Sequence, residues 1–281
     1  MNLQEVKNEF RIALSNNYPD FEIDSIFKIC CEDLLDFSRS DILLKSQEPL
    51  TKNQEDTLIT ALEKLKQDIP VQYITGVAHF YGRQFKVTEN TLIPRPETEE
   101  LVQLIVSDVN NESSLKIIDI GTGTGCIGIS LKKELISSDV TLLDVSKEAL
   151  SIAKQNATNL KAQVHFIEQS ILTTTDLPDK YDVIVSNPPY VRNVEKQEIH
   201  NNVLLHEPHL ALFVENENPL LFYRKILELA LDGLTEKGRV YFEINQYLSN
   251  EMNELASSLG FDSKMIKDYN GNWRMMICWK K

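Results

Sequence analysis

Asn187-Pro188-Pro189-Tyr190 closes an apolar run from Tyr181 to Ser186 that reads as a β-strand, and these four residue types suit one kind of chemistry. The side-chain oxygen of Asn187 and the carbonyl of Pro188 are hydrogen-bond acceptors, while the two prolines stiffen the turn and remove competing N–H donors. Tyr190 adds a flat face for stacking. A planar conjugated NH2, as in a carboxamide or the exocyclic amine of adenine, has a delocalised lone pair, so it must be held and polarised before it attacks a methyl group. Holding its nitrogen in line with a sulfonium methyl supplies the needed proximity. Transfer neutralises a cationic leaving group and makes the extra N–H proton acidic, so no strong general base is obligatory. The plain alternative is a proline-stiffened loop after a strand.

A second cluster lies upstream. Asp119-Ile120-Gly121-Thr122-Gly123-Thr124-Gly125 ends a strand and opens a helix, where glycines let the backbone turn tightly and approach a ligand. Gly121, Gly123 and Gly125 match the closely spaced loop of methyltransferases. Gly123, Gly125 and Gly128 match the G-x-G-x-x-G of dinucleotide folds, and the glycines alone do not choose. Asp144 ends the next strand, where a carboxylate can accept both hydrogen bonds of a ribose diol, as either reading requires.

The surrounding elements follow from periodicity. From Leu3 to about Leu65 the pattern is helical, with Leu3, Val6, Phe10 and Leu14, then Ile26, Ile29, Leu34 and Leu35, then Leu58, Leu62 and Leu65 at three-to-four spacing. From Ile69 the texture changes. Tyr73 to Val77 and His79 to Val87 around Gly82 predict a hairpin or extended linker, and the domain junction falls there. Pro94 and Pro96 stiffen the chain before Glu97, Thr98, Glu99 and Glu100, which suit the positive end of a helix running through Leu101, Leu104 and Ile105. Beyond Ser114, Leu115 to Ile120, Val140 to Val145, Gln163 to Ile167, Tyr181 to Ser186 and Arg239 to Ile244 read as strands with helices between most of them. This predicts an α/β fold with an open, mostly parallel sheet, whose strand carboxyl ends converge on one crevice.

With 29 basic against 42 acidic side chains among 281 residues, the net charge of -13 argues against neutralising a phosphate backbone, so no direct nucleic-acid binding is expected. Cys30, Cys31, Cys126 and Cys278 show neither zinc nor disulfide spacing and read as reduced thiols. Met1 to Phe10 lacks the basic start and apolar core of a leader, and no run suits a bilayer, so a cytoplasmic location without membrane association is expected. His206 and His209 flank Glu207 and Pro208, but Pro208 spoils a helical metal pair and no third ligand is evident; no metal is expected.

On these segments the chain resembles the HemK/PrmC family of protein-glutamine N5-methyltransferases. Further segments carry the likeness: Pro70-Val71-Gln72-Tyr73-Ile74-Thr75-Gly76, His79-Phe80-Tyr81-Gly82 with Phe85 and Val87, and Leu92-Ile93-Pro94-Arg95-Pro96-Glu97-Thr98-Glu99. Glu207-Pro208 with Leu210 to Leu212, Glu243 with Gln246, and Asp268 with Gly271 and Arg274 agree. The resemblance implies a small N-terminal helical domain (1–72) that recognises the substrate, a β-hairpin linker (73–96), and a Rossmann-like, seven-stranded class I methyltransferase domain (97–281). It implies S-adenosylmethionine as donor, S-adenosylhomocysteine as product, and the glutamine of a Gly-Gly-Gln motif in class I peptide-chain release factors as acceptor. Cofactor contacts are implied for Gly121, Thr122, Gly123, Thr124, Gly125, Asp144 and Asn187. Asn187, Pro188 and Tyr190 would be catalytic, and Asn187, Pro188, Pro189 and Tyr190 would bind the substrate amide.

The likeness breaks after the third strand. Many relatives have Gln-Ser-Asp-aromatic there, whereas Gln169-Ser170 is followed by Ile171 and Leu172. Leu172 is expected to give apolar packing to the cofactor, with any acceptor coming from elsewhere. Phe80, Tyr81 and Phe85 either line the glutamine entrance or pack the hairpin against the sheet; Phe80 is taken as a substrate contact. Rival functions are an adenine-N6 nucleic-acid methyltransferase, which the acidity disfavours, a ribosomal-protein glutamine methyltransferase, and a nucleotide-binding regulatory or redox protein, which leaves Asn187 to Tyr190 unexplained.

Overall fold

The structure, a computed structural model, describes residues 1–109 and 114–281. It divides into two units, Met1–Val77 with His200–His206, and Ala78–Ile199 with Glu207–Lys281.

The first unit is helical: α1 (Leu3–Leu14), α2 (Asp20–Leu35), α3 (Arg39–Leu44), α4 (Lys52–Leu65) and α5 (Val71–Thr75). Asn2 with Glu5, Ser38 with Asp41 and Thr51 with Gln54 form capping boxes that satisfy the free amides at the starts of α1, α3 and α4. Leu3, Val6, Phe10 and Leu14 bury one stripe of α1 against Ile23, Ile26 and Phe27 of α2 and Leu58, Leu62 and Leu65 of α4. Phe10 and Phe27 meet edge to face at 5.1 Å. Cys30 and Cys31 lie in this core, where burial pushes both thiols up to about 12 and keeps them protonated. A later segment, α9 (Asn201–His206), joins this unit, with His206 Nε2 3.1 Å from the Gln67 carbonyl.

One local expectation fails here. Tyr73 to Thr75 is not extended but belongs to α5, which starts after Pro70 and ends on Gly76 at φ 76°. The turn buries Val71 and packs Ile74 against the helices, so tertiary contact overrides the β-propensity of its aromatic and branched residues. The hairpin itself is present but shorter, β1 (Val77–Phe80) and β2 (Arg83–Lys86). Its two-residue turn places Tyr81 at φ 49° and Gly82 at φ 69°, the left-handed pair that matches strand twist.

The second unit continues with α6 (Pro96–Val109), β3 (Lys116–Ile120), α7 (Cys126–Glu134), β4 (Asp139–Asp144), α8 (Lys147–Asn159), β5 (His165–Glu168) and β6 (Tyr181–Ser186). After the short β7 (Val191–Arg192), α10 (His209–Leu212) and β8 (Phe213–Val214) come α11 (Leu221–Gly233), β9 (Leu234–Glu243), α12 (Ser249–Ser258), β10 (Phe261–Lys267) and β11 (Trp273–Lys280). The sheet has seven strands in the order β10-β11-β9-β6-β3-β4-β5, with β11 antiparallel to both its neighbours and the other pairs parallel. This is the Rossmann-like α/β arrangement. Successive strand residues alternate between its two faces: Ile117, Val183, Val185 and Tyr241 pack with α6, α7 and α8, while Ile118, Ile184, Val240 and Phe242 pack with α11 and α12.

The chain order reverses at β3, since β4 and β5 lie on one side and β6 and β9 on the other. In register, Ile120 faces Leu143 and Ser186, and Asp144 faces Glu168. The segments leaving these strands therefore emerge along one edge, at the switch point where open α/β sheets bind ligands.

Asn156, 1% exposed on α8, ties the hairpin to the glycine loop. Its Oδ1 accepts from Lys86 N at 2.7 Å, and its Nδ2 donates to the carbonyls of Lys86 at 3.0 Å and Thr124 at 2.9 Å. Asn156→Ala leaves these backbone groups without a partner in a buried place. It is expected to destabilise the protein by about 3 kcal/mol, measured as the shift in urea midpoint at constant m-value.

Candidate functional site

The floor of the site is the turn from β3 to α7. The amides of Gly121 and Thr122 donate to the Leu143 carbonyl at 2.8 and 3.0 Å, so β4 holds the start of the turn in place. Gly123 N donates to Asp144 Oδ2 at 2.8 Å and Ser146 N to Asp144 Oδ1 at 2.9 Å, which aims this carboxylate along the rim. Burial raises the Asp144 pKa, and these backbone donors oppose the shift. Asp119, fully buried, accepts from Thr122 Oγ1 at 2.6 Å and Gly128 N at 3.0 Å; burial pushes its pKa up to about 6.

A cleft opens above this turn. Gly121, Gly123, Asp144, Val145, Ser146 and Ala149 line one side, Gln169, Ser170 and Ile171 the next, and Ser186, Asn187, Pro188 and Pro189 the opposite side. Asn90 to Leu92, Pro208, Leu210, Ala211, Phe222 and Ile226 complete it. Glu207, 3% exposed, fastens two of these segments together, accepting from Ile93 N at 3.1 Å and pairing with Arg95. Asp144 is the one charged residue of the lining among the described residues, and the rest is largely apolar.

The tetrapeptide leaves β6 beside the end of β9. Ser186 Oγ donates to the Ile120 carbonyl at 2.7 Å, tying β6 to β3 where the turn begins. Asn187 Nδ2 donates to Thr98 Oγ1 at 3.3 Å, Thr98 Oγ1 donates to Glu243 Oε2 at 2.6 Å, and the Tyr190 hydroxyl donates to Glu243 Oε1 at 3.0 Å. Asn245 Nδ2 donates to the Tyr190 carbonyl at 3.0 Å and to both oxygens of Glu195. Burial raises the pKa of Glu243, against the hydrogen bonds from Thr98 and Tyr190, and burial likewise raises that of the Tyr190 phenol.

Gly121, Gly123, Asp144, Asn187, Pro188 and Pro189 thus meet in one cleft. Thr122 and Thr124 are buried in the turn, where Thr122 holds Asp119 and the Thr124 carbonyl accepts from Asn156; with Gly125 they shape the loop and are outside the lining. Tyr190 supports the tetrapeptide from behind through Glu243. Two expected contacts are placed differently. Leu172 is 37% exposed and outside the lining, whereas Ile171, the first residue of a 3-10 turn, is buried against the core and lines the cleft. Phe80 is 1% exposed and packs edge to face on Phe85 at 5.9 Å, so it belongs to the core beneath the hairpin.

Thr98, Glu243 and Asn245 were not read from the sequence as site residues. The available signal was a carboxylate at the end of the apolar strand Arg239 to Ile244, since a buried acid is costly unless it is held by partners.

The cleft fits S-adenosylmethionine on its own features. No atom lies within 4 Å of where a Cβ would stand at Gly121 or Gly123, whose φ values are 74° and 54°, so the backbone is bare where a ligand must approach. Asp144 presents carboxylate acceptors that could take a ribose diol, and Val145 and Ile171 present apolar surface that could flank a base. Gln169 and Ser170 add an amide and a hydroxyl to the same lining. Asp119 Oδ1 remains buried without a hydrogen-bond partner beneath the loop.

Comparison with known proteins agrees. Residues 5–76 match the family model of the PrmC N-terminal domain, and residues 97–213 that of the methyltransferase small domain. The release factor glutamine methyltransferase of Flavobacterium psychrophilum is 48% identical over 280 residues, covering 98% of each chain. That of Bacteroides thetaiotaomicron is 42% identical over 268 residues, covering 95% of this chain and 96% of its own. A solved methyltransferase from Pyrococcus furiosus superposes with a TM-score of 0.52 at 19% identity, covering 81% of this chain and 98% of that one, which shows the shared fold. With these motifs seated in one cleft and near-full-length identity of this order, the chain belongs to the release factor glutamine methyltransferase family.

Proposed function

We propose that this chain methylates the side-chain amide nitrogen of the glutamine in the Gly-Gly-Gln motif of class I peptide-chain release factors, in the cytoplasm, with S-adenosylmethionine as donor. Membership of the family supports the reading. The observation that carries it is that the acceptor-bearing turn Asn187-Pro188-Pro189 and the glycine turn at Gly121 to Gly123 line the same cleft.

When bound, S-adenosylmethionine supplies an electrophilic methyl group on a positively charged sulfur. The residues of the chain do the rest. Gly121 and Gly123 would admit the donor close to the backbone, Asp144 would accept from its ribose hydroxyls, and Ile171 would take the apolar role first expected of Leu172. Asn187 Oδ1 and the Pro188 carbonyl each accept one N–H of the glutamine amide, which orients its nitrogen and raises its electron density. Bound there, the donor would supply the methyl group and retain the electron pair of the carbon–sulfur bond as sulfide, while Asn187 and Pro188 would hold the amide nitrogen that receives it. The proton would then leave the nitrogen to water, in keeping with a cleft whose lining, among the described residues, has no ionisable side chain besides Asp144.

Residues 1–72 form the part that recognises the release factor, 73–96 the linker, and 97–281 the catalytic part in this reading. The match of residues 5–76 to the PrmC N-terminal domain supports the first assignment. Neither nucleic acid nor a membrane is a partner in it; the net charge is -13, and no helix among the described residues is long and apolar enough to cross a membrane.

Incubation with labelled S-adenosylmethionine and, in parallel, release factors, ribosomal proteins and nucleic acid, followed by peptide mapping, tests the function. Label on the Gly-Gly-Gln glutamine is expected, and label confined to nucleic acid or ribosomal protein rejects the reading. Asp144→Ala removes the ribose acceptors and is expected to weaken donor binding roughly 30-fold by calorimetry. Asn187→Ala is expected to lower kcat by about 100-fold with a much smaller change in donor Kd. Equal losses in the two quantities would assign Asn187 mainly to donor binding.

A further inference from the structure

An asparagine carboxamide is nearly symmetric in shape but not in chemistry. Turned by 180°, it offers two N–H donors where it had offered an oxygen acceptor, and little in the side chain itself prefers one state. For Asn187 the difference decides whether the cleft attracts or repels an incoming NH2. Some neighbouring group must therefore set the direction.

The neighbours form a chain of hydrogen bonds with one defined polarity. Glu243, 1% exposed at the end of β9, has a carboxylate that only accepts when ionised. Its Oε2 takes the single hydroxyl proton of Thr98 at 2.6 Å. Thr98, 2% exposed, is then left with lone pairs towards Asn187, 3.3 Å away, and only the NH2 end of the carboxamide can satisfy them. The other carboxylate oxygen takes the Tyr190 hydroxyl at 3.0 Å, so one acid holds the last residue of the tetrapeptide directly and the first through Thr98. The Glu243 main-chain carbonyl accepts from the buried Tyr223 hydroxyl at 3.0 Å, which anchors the acid to α11.

We infer that Glu243 and Thr98 are positioning residues for methyl transfer: the acid, acting through the threonine hydroxyl, locks the Asn187 carboxamide with its NH2 turned inward and its oxygen presented to the substrate amide. This rests on the functional reading above, in which Asn187 supplies an acceptor.

The supporting argument is energetic as well as geometric. Taking a carboxylate out of water is costly unless it is fully partnered, and apolar residues at such places generally give equal or better stability. An acid here is explained by the direction it imposes on its neighbours. The register makes the arrangement possible. Ser186 pairs with Phe242 across β6 and β9, so Asn187 and Glu243 leave adjacent strands side by side, and the first turn of α6 brings Thr98 between them.

Three variants of the full chain test the inference by donor Kd, release-factor KM and kcat. Thr98→Val keeps the shape but loses the hydroxyl, and kcat is expected to fall on the order of 100-fold, with both binding constants within about threefold of the unmodified protein. Thr98→Ser restores the hydroxyl and is expected to recover most of the rate. In Glu243→Gln the new amide can donate to Thr98, freeing the threonine proton for the Asn187 oxygen and inverting the chain; a kcat loss with donor affinity retained is expected. A Thr98→Val enzyme with unaltered kcat overturns the inference while leaving glutamine methylation intact. Parallel loss of donor affinity in Thr98→Val that serine does not recover also overturns it, since that pattern marks a merely structural residue. Failure of the unmodified protein to label glutamine would strike at the functional reading itself.

Discussion

Ile120 pairs with Leu143 on one side and Ser186 on the other, and the contents of the cleft depend on this register. Because parallel neighbours run in the same direction, aligned registers bring the ends of β3, β4 and β6 to a common edge. The glycine turn, Asp144 and the tetrapeptide leave from that edge within a residue or two of one another. A slip by one residue would turn every side chain to the other face of the sheet, sending Ile117 and Ile118 into the wrong helical layers. The hydrophobic division between the two layers therefore enforces the alignment on which the chemistry depends.

On this apolar frame sits a small set of buried polar groups, each with an assigned partner. Asp144 binds two loop amides, Asn156 binds the hairpin and the loop, Glu207 joins two segments of the cleft wall, and Glu243 binds Thr98 and Tyr190. Such groups cost free energy when unpartnered, so once satisfied they select one loop conformation over others of similar packing. The carbon–nitrogen bond to be formed needs its nitrogen held on a line, and loops resting on hydrophobic contact alone would leave that line broad.

The short helical turn at Val71–Thr75 shows where local residue preference loses. Its aromatic and branched residues favour extended backbone, yet Pro70 starts a helix, Gly76 ends it, and Val71 and Ile74 gain burial by it. The same competition explains Leu172 and Phe80. Each is an apolar residue near the motif in sequence, but the 3-10 turn at Ile171 and the two-residue hairpin at Tyr81-Gly82 decide which side chain faces the cleft and which faces the core. β10 went unread for a related reason. Phe261–Lys267 lies at a sheet edge with an irregular burial pattern, so its hydrophobic alternation is weak.

The sequence by itself determined the α/β class, the helical first part, the parallel strands, and the two clusters of candidate site residues, the tetrapeptide and the glycine loop with Asp144. Period, turn residues and motif spacing are local quantities, and they survive without knowledge of contacts. Only the tertiary structure decided that Ile171 rather than Leu172 lines the cleft, that Phe80 is core, and that Thr98, Glu243 and Asn187 form one hydrogen-bonded chain. Those outcomes depend on groups 89 and 145 residues apart meeting within hydrogen-bonding distance. Such a meeting is set by strand order and helix packing together, which no local pattern of residues encodes.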